Sequence, residues 1–420
     1  MKKRVLLIFT EKFSQNIIES NQLIEELKLK FELLILDSQN FPKRNIFVNK
    51  LSQVFKKILK FRFSEINSFK KHLLEKKYAN IIKYNSFETV SSRFGFPFPK
   101  SQFLYNLVNK LFHKIPCYLK FPKTDLILMA GIQNEMAQCV LNKFKNKDIP
   151  IITILNSWEQ LTTNGPVLNN KNIKKYLVRG NAQKDELIKF HRINENMIKI
   201  IGSLQFDLLH QIKKEHTDIK DLFKTIKEIV IFLPASDAED GFCEPDVIMA
   251  IIEIFDSKDI KYSVVIRPYP NDKTFYDRYQ KVINNKHVLI NEIDDDFKTD
   301  RKNLALILKH CTFVLCGPGA IMVEAMFFRK QILFLAIENR FGFENVNIAK
   351  ERYFTDHYEN IIKHNSGYLV TSFIELRANI EQILIGDDIK IKGQRRVLGE
   401  QIAHLDGLAW NRAMNEIVQL

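Results

Sequence analysis

The stretch CTFVLCGPGAIMVEAMFFRKQILFLAI, residues 311–337, decides the fold. A short apolar run, Phe313–Leu315, reads as a buried strand. The small residues Gly317-Pro318-Gly319-Ala320 break it, a helix is expected at Met322–Phe328, and a second apolar run follows at Ile332–Ala336. Strand, turn, helix and strand in that order make a βαβ unit, which demands a parallel sheet.

Working outward, the same alternation recurs in two series. The first has strands at Val5–Phe9, Phe31–Leu36, Asp125–Ala130, Ile151–Leu155 and Ile198–Ile201. Helices are expected at Ser14–Lys30, Asn134–Phe144 and Gln183–His191. The second has strands at Ile229–Leu233, Ser263–Ile266, Val288–Ile290, Phe313–Leu315 and Ile332–Ala336, with a helix at Pro245–Phe255. Between them, Asp207–Lys227 is charged, helical in pattern and without a buried strand. The expectation is an α/β protein of two Rossmann-like, doubly wound domains. They are placed at 1–210 and 225–390, and a last helical stretch, within 391–420, is expected to return to the first.

Hydrophobic residues make up 45% and charged residues 27%, which excludes a disordered chain. The formal charge of +14 is not spread evenly. Residues 1–150 carry 27 basic and 12 acidic residues, and 43–123 alone carry 18 and 3, so the whole excess lies in the first third. A polyanion is the electrostatic partner for that part. Within it, residues 49–77 place Leu51, Val54, Phe55, Ile58, Leu59, Ile66, Phe69 and Leu73 at helical spacing among lysines. Such a helix lies on an anionic membrane surface, or covers a core with lysines outward. The basic region has no nucleic-acid-binding signature, so nucleic acid is not expected as a partner. Five cysteines without a CxxC pair suggest neither a disulfide framework nor a zinc cluster and fit a reducing cytoplasm. The apolar run of MKKRVLLIFTEK is too short for a signal peptide, and no run reaches the roughly 18 apolar residues of a membrane span.

Four stretches carry candidate chemistry. The turn Gly317-Pro318-Gly319-Ala320 lets a ligand approach the backbone, and the helix start behind it offers free N–H groups to a pyrophosphate. Glu324, one turn on, can accept from ribose hydroxyls. VVIRPYP, residues 264–270, puts Arg267 at the carboxyl end of a strand, where its fork of donors suits phosphate. LPASDAEDGFCEPD, residues 233–246, collects Ser236, Asp237, Glu239 and Asp240 in one loop, to cap the next helix or face a ligand. NSWEQLTTNGP, residues 156–166, sets Trp158 and Glu159 on a loop that suits sugar recognition or packing. The histidines 191, 310, 357 and 364 show no ligand spacing.

Taken together the arrangement resembles GT-B glycosyltransferases, and more closely the bacterial glycosyltransferase-like proteins of surface-polysaccharide assembly. The stretches that resemble that family's motifs are Ser157-Trp158-Glu159-Gln160-Leu161-Thr162 with Gly165, Leu177-Val178-Arg179-Gly180 with Gln183, and Gly202-Ser203-Leu204-Gln205-Phe206-Asp207. Further on come Arg267-Pro268-Tyr269-Pro270, Gly317-Pro318-Gly319 with Glu324-Ala325, and Leu405-Asp406-Gly407 with Arg412. The likeness spans roughly residues 125–420. Three positions depart from the pattern: Glu159 for the usual Asp, Tyr269 for the usual His, and Gly317-Pro318-Gly319 for a serine pair. Glu239-Asp240-Gly241 resembles the acidic motif of enzymes with CMP-linked donors.

The resemblance implies an inverting, metal-independent transfer of a sugar from a nucleotide-sugar donor to a surface-glycan or lipid-linked acceptor in polysaccharide, lipopolysaccharide or capsule synthesis. The protein would be cytoplasmic, free or peripheral on the inner face of the cytoplasmic membrane. The donor is a substrate, CMP-, UDP- or GDP-linked, and no cofactor is expected. Glu159, Asp237 and Glu239 are the candidates for the base. Ser236, Arg267, Gly317, Pro318, Gly319, Ala320 and Glu324 are the candidates for donor binding. On the same scaffold a nucleotide-sugar 2-epimerase or a CDP-polyol phosphotransferase is the first alternative, and a non-enzymatic polyanion binder the second.

Overall fold

A computed structural model describes residues 2–36, 121–132, 135–156, 158, 161, 170–236, 243–270, 272–337, 353, 356–386 and 390–420. The basic insert, residues 49–77, lies outside the described residues, as does the rest of 43–120. The chain divides into two compact units. The first takes in the described residues up to His210 together with Gly399–Leu420, and the second runs from Gln211 to Leu398.

The first unit is built on a six-stranded parallel sheet. Its strands are β1 (Arg4–Phe9), β2 (Glu32–Leu36), β3 (Leu126–Ala130), β4 (Ile151–Ile154), β5 (Ile173–Val178) and β6 (Ile198–Ile200), in the order β2-β1-β3-β4-β5-β6. β1 and β3 register Val5 with Leu126 and Phe9 with Ala130. All of Val5–Phe9 and Leu126–Ala130 is buried, because helices cover both faces of a parallel sheet. The second unit repeats the plan with β7 (Ile229–Pro234), β8 (Tyr262–Arg267), β9 (Val288–Ile290), β10 (Phe313–Cys316), β11 (Gln331–Leu335) and β12 (Tyr368–Val370), in the order β12-β11-β10-β7-β8-β9. Ile231 registers with Phe313 and with Val264.

Several elements differ from the expectation for physical reasons. Ser14–Lys30 is two helices, Lys12–Glu19 and Gln22–Lys30. Asn21 splits them, its side chain accepting from the Leu23 N–H and donating to the Leu204 carbonyl. An Asn at an N-cap offers the backbone a partner that continuing the helix would deny. β5 is disguised by Lys174 and Lys175. Lys175 reaches out of the sheet to Glu416, at 2.7 Å, and Gln419. β12 is only three residues long. The last stretch is likewise two helices, Ile391–Gln401 and Ala409–Val418.

The C-terminal segment returns to the first unit, as the fold class requires. Asp207 accepts from the N–H groups of Ala409 and Trp410 at the start of the last helix. Arg412 donates to the Ile201 carbonyl and pairs through both ends of its fork with Asp406. Trp158 donates its indole N–H to Gln401 at 2.8 Å. Gln183 accepts from the Arg179 N–H. A Cβ on Gly180 would stand 2.5 Å from the Glu400 carbonyl oxygen.

Among the described residues no helix is long and apolar enough to cross a membrane.

Candidate functional site

In an open parallel sheet, ligands bind beyond the carboxyl ends of the strands, where the strand order reverses. In the second unit the chain runs from β7 outward through β8 and β9, then returns to the other side of β7 as β10. The reversal therefore falls between β7 and β10, and the residues leaving those two strands define the site. They are Ser236 and Gly317. A Cβ on Gly317 would stand 2.6 Å from the Ser236 hydroxyl oxygen, so only glycine allows this approach.

The turn that follows is open. Gly317, Pro318 and Gly319 are half-buried, Ala320 is exposed, and a Cβ on Gly319 would meet nothing within 4 Å among the described residues. The helix behind it is Ile321–Phe327, with Ala320 at its N-cap and no side-chain cap. The Met322 N–H turns back to the Gly319 carbonyl, and those of Val323 and Glu324 to Ala320. The amides of Gly319, Ala320 and Ile321 precede these bonds and belong to the set that a helix start leaves for an outside acceptor.

Glu324 sits at 3% exposure with Oε1 2.7 Å from Arg301 Nη2. Arg301 comes from the helix Phe297–His310. Arg267 is equally committed. Its Nη1 donates to Asn291 at 2.8 Å, and its Nη2 lies 2.7 Å from both oxygens of Asp300. Both side chains thus lie at the carboxyl end of the sheet and are held by other residues. The guanidinium of Arg267 spends these donors on locking β8 to β9 and to the next helix. Tyr353 is buried, its hydroxyl 3.0 Å from the Cys316 carbonyl and 2.9 Å from that of Leu335, where it bridges the ends of β10 and β11.

Behind Ser236 lies a polar cluster that sequence reading missed. Glu244, fully buried at the first turn of the helix Glu244–Asp256, has both oxygens 3.1 Å from the Ser236 N–H and accepts from the Tyr279 hydroxyl. Burial raises its pKa against the pull of those bonds and of the Arg278 charge. Arg278 donates to the Ser236 carbonyl at 3.0 Å and to Asp272. Asp272 accepts also from the Thr274 N–H and hydroxyl, and these bonds together with Arg278 outweigh its burial and hold it below its ordinary value. The one available signal was Glu244-Pro245 opening an apolar helical run, a helix-start pattern that leaves the carboxylate's partner unspecified.

Of the residues singled out from sequence, Ser236 and Gly317–Ala320 come together at the crossover, with Glu324 and Arg267 on either side. Asp237, Glu239 and Glu159 lie outside the described residues. No group of three or more His, Cys, Asp or Glu side chains placed to hold a metal occurs among the described residues. Cys243, Cys311 and Cys316 are buried, whereas Cys139 is disulfide-bonded, against the expectation of reduced cysteines.

The first unit has a matching crossover. Its strand order reverses between β1 and β3. There Thr10 follows β1, and a Cβ on Gly131 would stand 2.3 Å from its hydroxyl oxygen. Gly131 also has φ +92°, which an L side chain rarely adopts.

No protein-family description and no curated protein matches the chain. Solved structures do. MnaA of S. aureus with UDP shares 15% identity at a TM-score of 0.54, covering 100% of this chain and 96% of that one. The UDP-GlcNAc 2-epimerase of Neisseria meningitidis bound to UDP-GlcNAc shares 15% at 0.54, covering 99% and 100%. A sucrose-phosphate synthase of Thermosynechococcus elongatus shares 10% at 0.50, covering both chains in full. What the chain shares with them is its fold, the GT-B class of two Rossmann-like units in one polypeptide.

Proposed function

We propose that the protein is a nucleotide-sugar-dependent glycosyltransferase, moving a sugar to a surface-glycan or lipid-linked acceptor with inversion. The observation that carries the reading is the crossover of the second unit. A hydroxyl stands against a glycine there, and an open turn of small residues leads into a helix start. That arrangement suits the phosphate of a sugar nucleotide, whose charge the main-chain amides and the helix dipole stabilise as it leaves. The acceptor oxygen attacks the anomeric carbon, the bond from that carbon to the phosphate oxygen breaks, and a carboxylate takes the acceptor proton. Asp237, Glu239 and Glu159 remain the candidates for that carboxylate. Arg267 and Glu324 serve this site as its frame: with Asp300, Asn291 and Arg301 they fix the strand ends around the turn.

Two features support transfer. Two of the stretches that resemble the surface-polysaccharide enzymes, Gly202–Asp207 and Leu405–Gly407 with Arg412, meet in the first unit, where Asp207 holds the helix that carries Arg412. The basic first third of the sequence suits an anionic membrane, where lipid-linked acceptors reside. A second reading, nucleotide-sugar 2-epimerisation, is favoured by the epimerase among the structural neighbours.

Thermal unfolding with CMP, CDP, UDP, GDP and TDP tests the shared part. One of them should raise the melting temperature, since a ligand that binds only the folded state stabilises it. If none does, the nucleotide site is wrong. With the selected donor, a glycoside formed on added acceptor supports transfer, and a free epimerised sugar supports the second reading.

A further inference from the structure

We infer that Arg278 and Glu244 are positioning residues for the nucleotide phosphate, acting through Ser236. The inference rests on the reading of the crossover as the donor site. Glu244 holds the N–H of Ser236 and Arg278 holds its carbonyl oxygen. The peptide groups on both sides of one residue are therefore fixed, and with them the backbone angles that aim its side chain. The hydroxyl so aimed is the one that lies against Gly317, at the reversal of strand order in the described sheet of this unit.

The two clamping residues come from different elements. Glu244 opens the helix after β7, and Arg278 ends the short helix Phe275–Arg278 after β8. Each is itself held, Glu244 by Tyr279 and Arg278 by Asp272. A buried carboxylate and a largely buried guanidinium are expensive to keep in a core that could use apolar residues. Here their hydrogen bonds converge on a single residue at the end of the sheet that binds ligands. Loops at that end otherwise take up many conformations, and a ligand site there needs such a support to stay in register.

Because Arg278 acts through Ser236, the two are coupled, and a double-mutant cycle reads the coupling. The probe is the tightest binder among CMP, UDP and GDP, titrated by calorimetry. Ser236→Ala should weaken its binding several-fold, as loss of a hydroxyl partner would, and Arg278→Met by no more than that, since it acts through the same hydroxyl. The double variant should bind no more weakly than Ser236→Ala alone. Arg278→Lys, which keeps a cation within reach of the Ser236 carbonyl, should recover part of the loss and guards against a variant that fails to fold.

Hydrogen exchange of the Ala235 and Ser236 amides gives a ligand-free readout, expected to quicken at least tenfold in Arg278→Met. Losses that multiply in the double variant, or wild-type affinity in Arg278→Met, overturn the positioning role. Unchanged exchange in Arg278→Met overturns the clamp while leaving the reading of the site intact. Wild-type protein that binds none of these three, nor CDP or TDP, overturns that reading and this role with it, whatever the exchange shows.

Discussion

The two units carry the same crossover and use the ground around it differently. In each, the side-chain hydroxyl after the first strand lies against a glycine after the strand that crosses over: Thr10 against Gly131, and Ser236 against Gly317. In the second unit the turn after β10 stays open at Gly319 and Ala320 among the described residues. In the first unit the chain's own C-terminal segment occupies the ends of β5 and β6. Gly180 abuts the Glu400 carbonyl, Ile201 accepts from Arg412, and Gly202 lies beneath His404. What remains at the carboxyl end of that sheet is Thr10, Gly131 and Asn156. Asn156 is 5% exposed, and its side-chain nitrogen has no partner among the described residues. The lesson is that short sequence motifs of one likeness have two physical meanings. Those in the first unit hold a returning helix, and those in the second line an open turn.

The sharpest way to break that contrast is to crowd the returning helix. Gly180→Ala should destabilise the first unit by about 3 kcal/mol or more. The backbone at Gly180 is extended, which any residue tolerates, but the new methyl would collide with the Glu400 and Gln401 backbone, which cannot rotate away. Chemical denaturation measures it, and a loss below about 1 kcal/mol would mean that the segment is not seated there.

A slightly smaller effect separates two buried groups that titrate in opposite senses. Burial pulls His191 down to about 4, its ring held against the Leu161 carbonyl. The unfolded chain takes up this proton below about 6.5 and the folded one does not, so stability falls as pH drops from 6.5 to 4. Burial pushes Asp207 up to about 6, against the bonds from Trp410 and Ala409. The folded chain then holds a proton between about 4 and 6 that the unfolded one has lost, so this contribution falls as pH rises. The two oppose each other. Asp207→Asn should leave His191 unopposed, and the stability lost between pH 6.5 and 4.5 should grow by about 2 kcal/mol relative to wild type. Equal losses in both proteins would show that Asp207 is ionised throughout that range.

The contrast also explains what was legible in advance. Buried strands such as Val5–Phe9 and Phe313–Cys316 are continuous apolar runs, because helices bury both of their faces, and nothing but burial is needed to find them. β5 escaped because Lys174 and Lys175 interrupt the run, and the partners of Lys175 lie some 240 residues away at Glu416 and Gln419. The Gly-Pro-Gly turn was legible because close approach restricts which residues fit. The engagement of Arg267 with Asp300 and Asn291 was not, since an arginine at a strand end reads the same whether its fork meets a phosphate or a carboxylate. Glu244 and Arg278 stayed hidden for the same reason. A carboxylate that serves one backbone N–H leaves no periodicity and no spacing.

The mildest change is the most informative about the second unit. Gly319→Ala adds a methyl where no described residue lies within 4 Å, so stability should shift by no more than about 0.5 kcal/mol. The same methyl stands on the open turn, in the space a phosphate would need to reach the amides behind it. Nucleotide affinity should therefore fall while the melting temperature of the free protein holds. Gly180→Ala does the reverse: it should cost stability, with affinity unchanged in whatever fraction remains folded. If Gly319→Ala binds nucleotide as wild type does, the open turn is empty ground, and the crossover of the second unit differs from that of the first only in having no helix returned to its neighbouring strands.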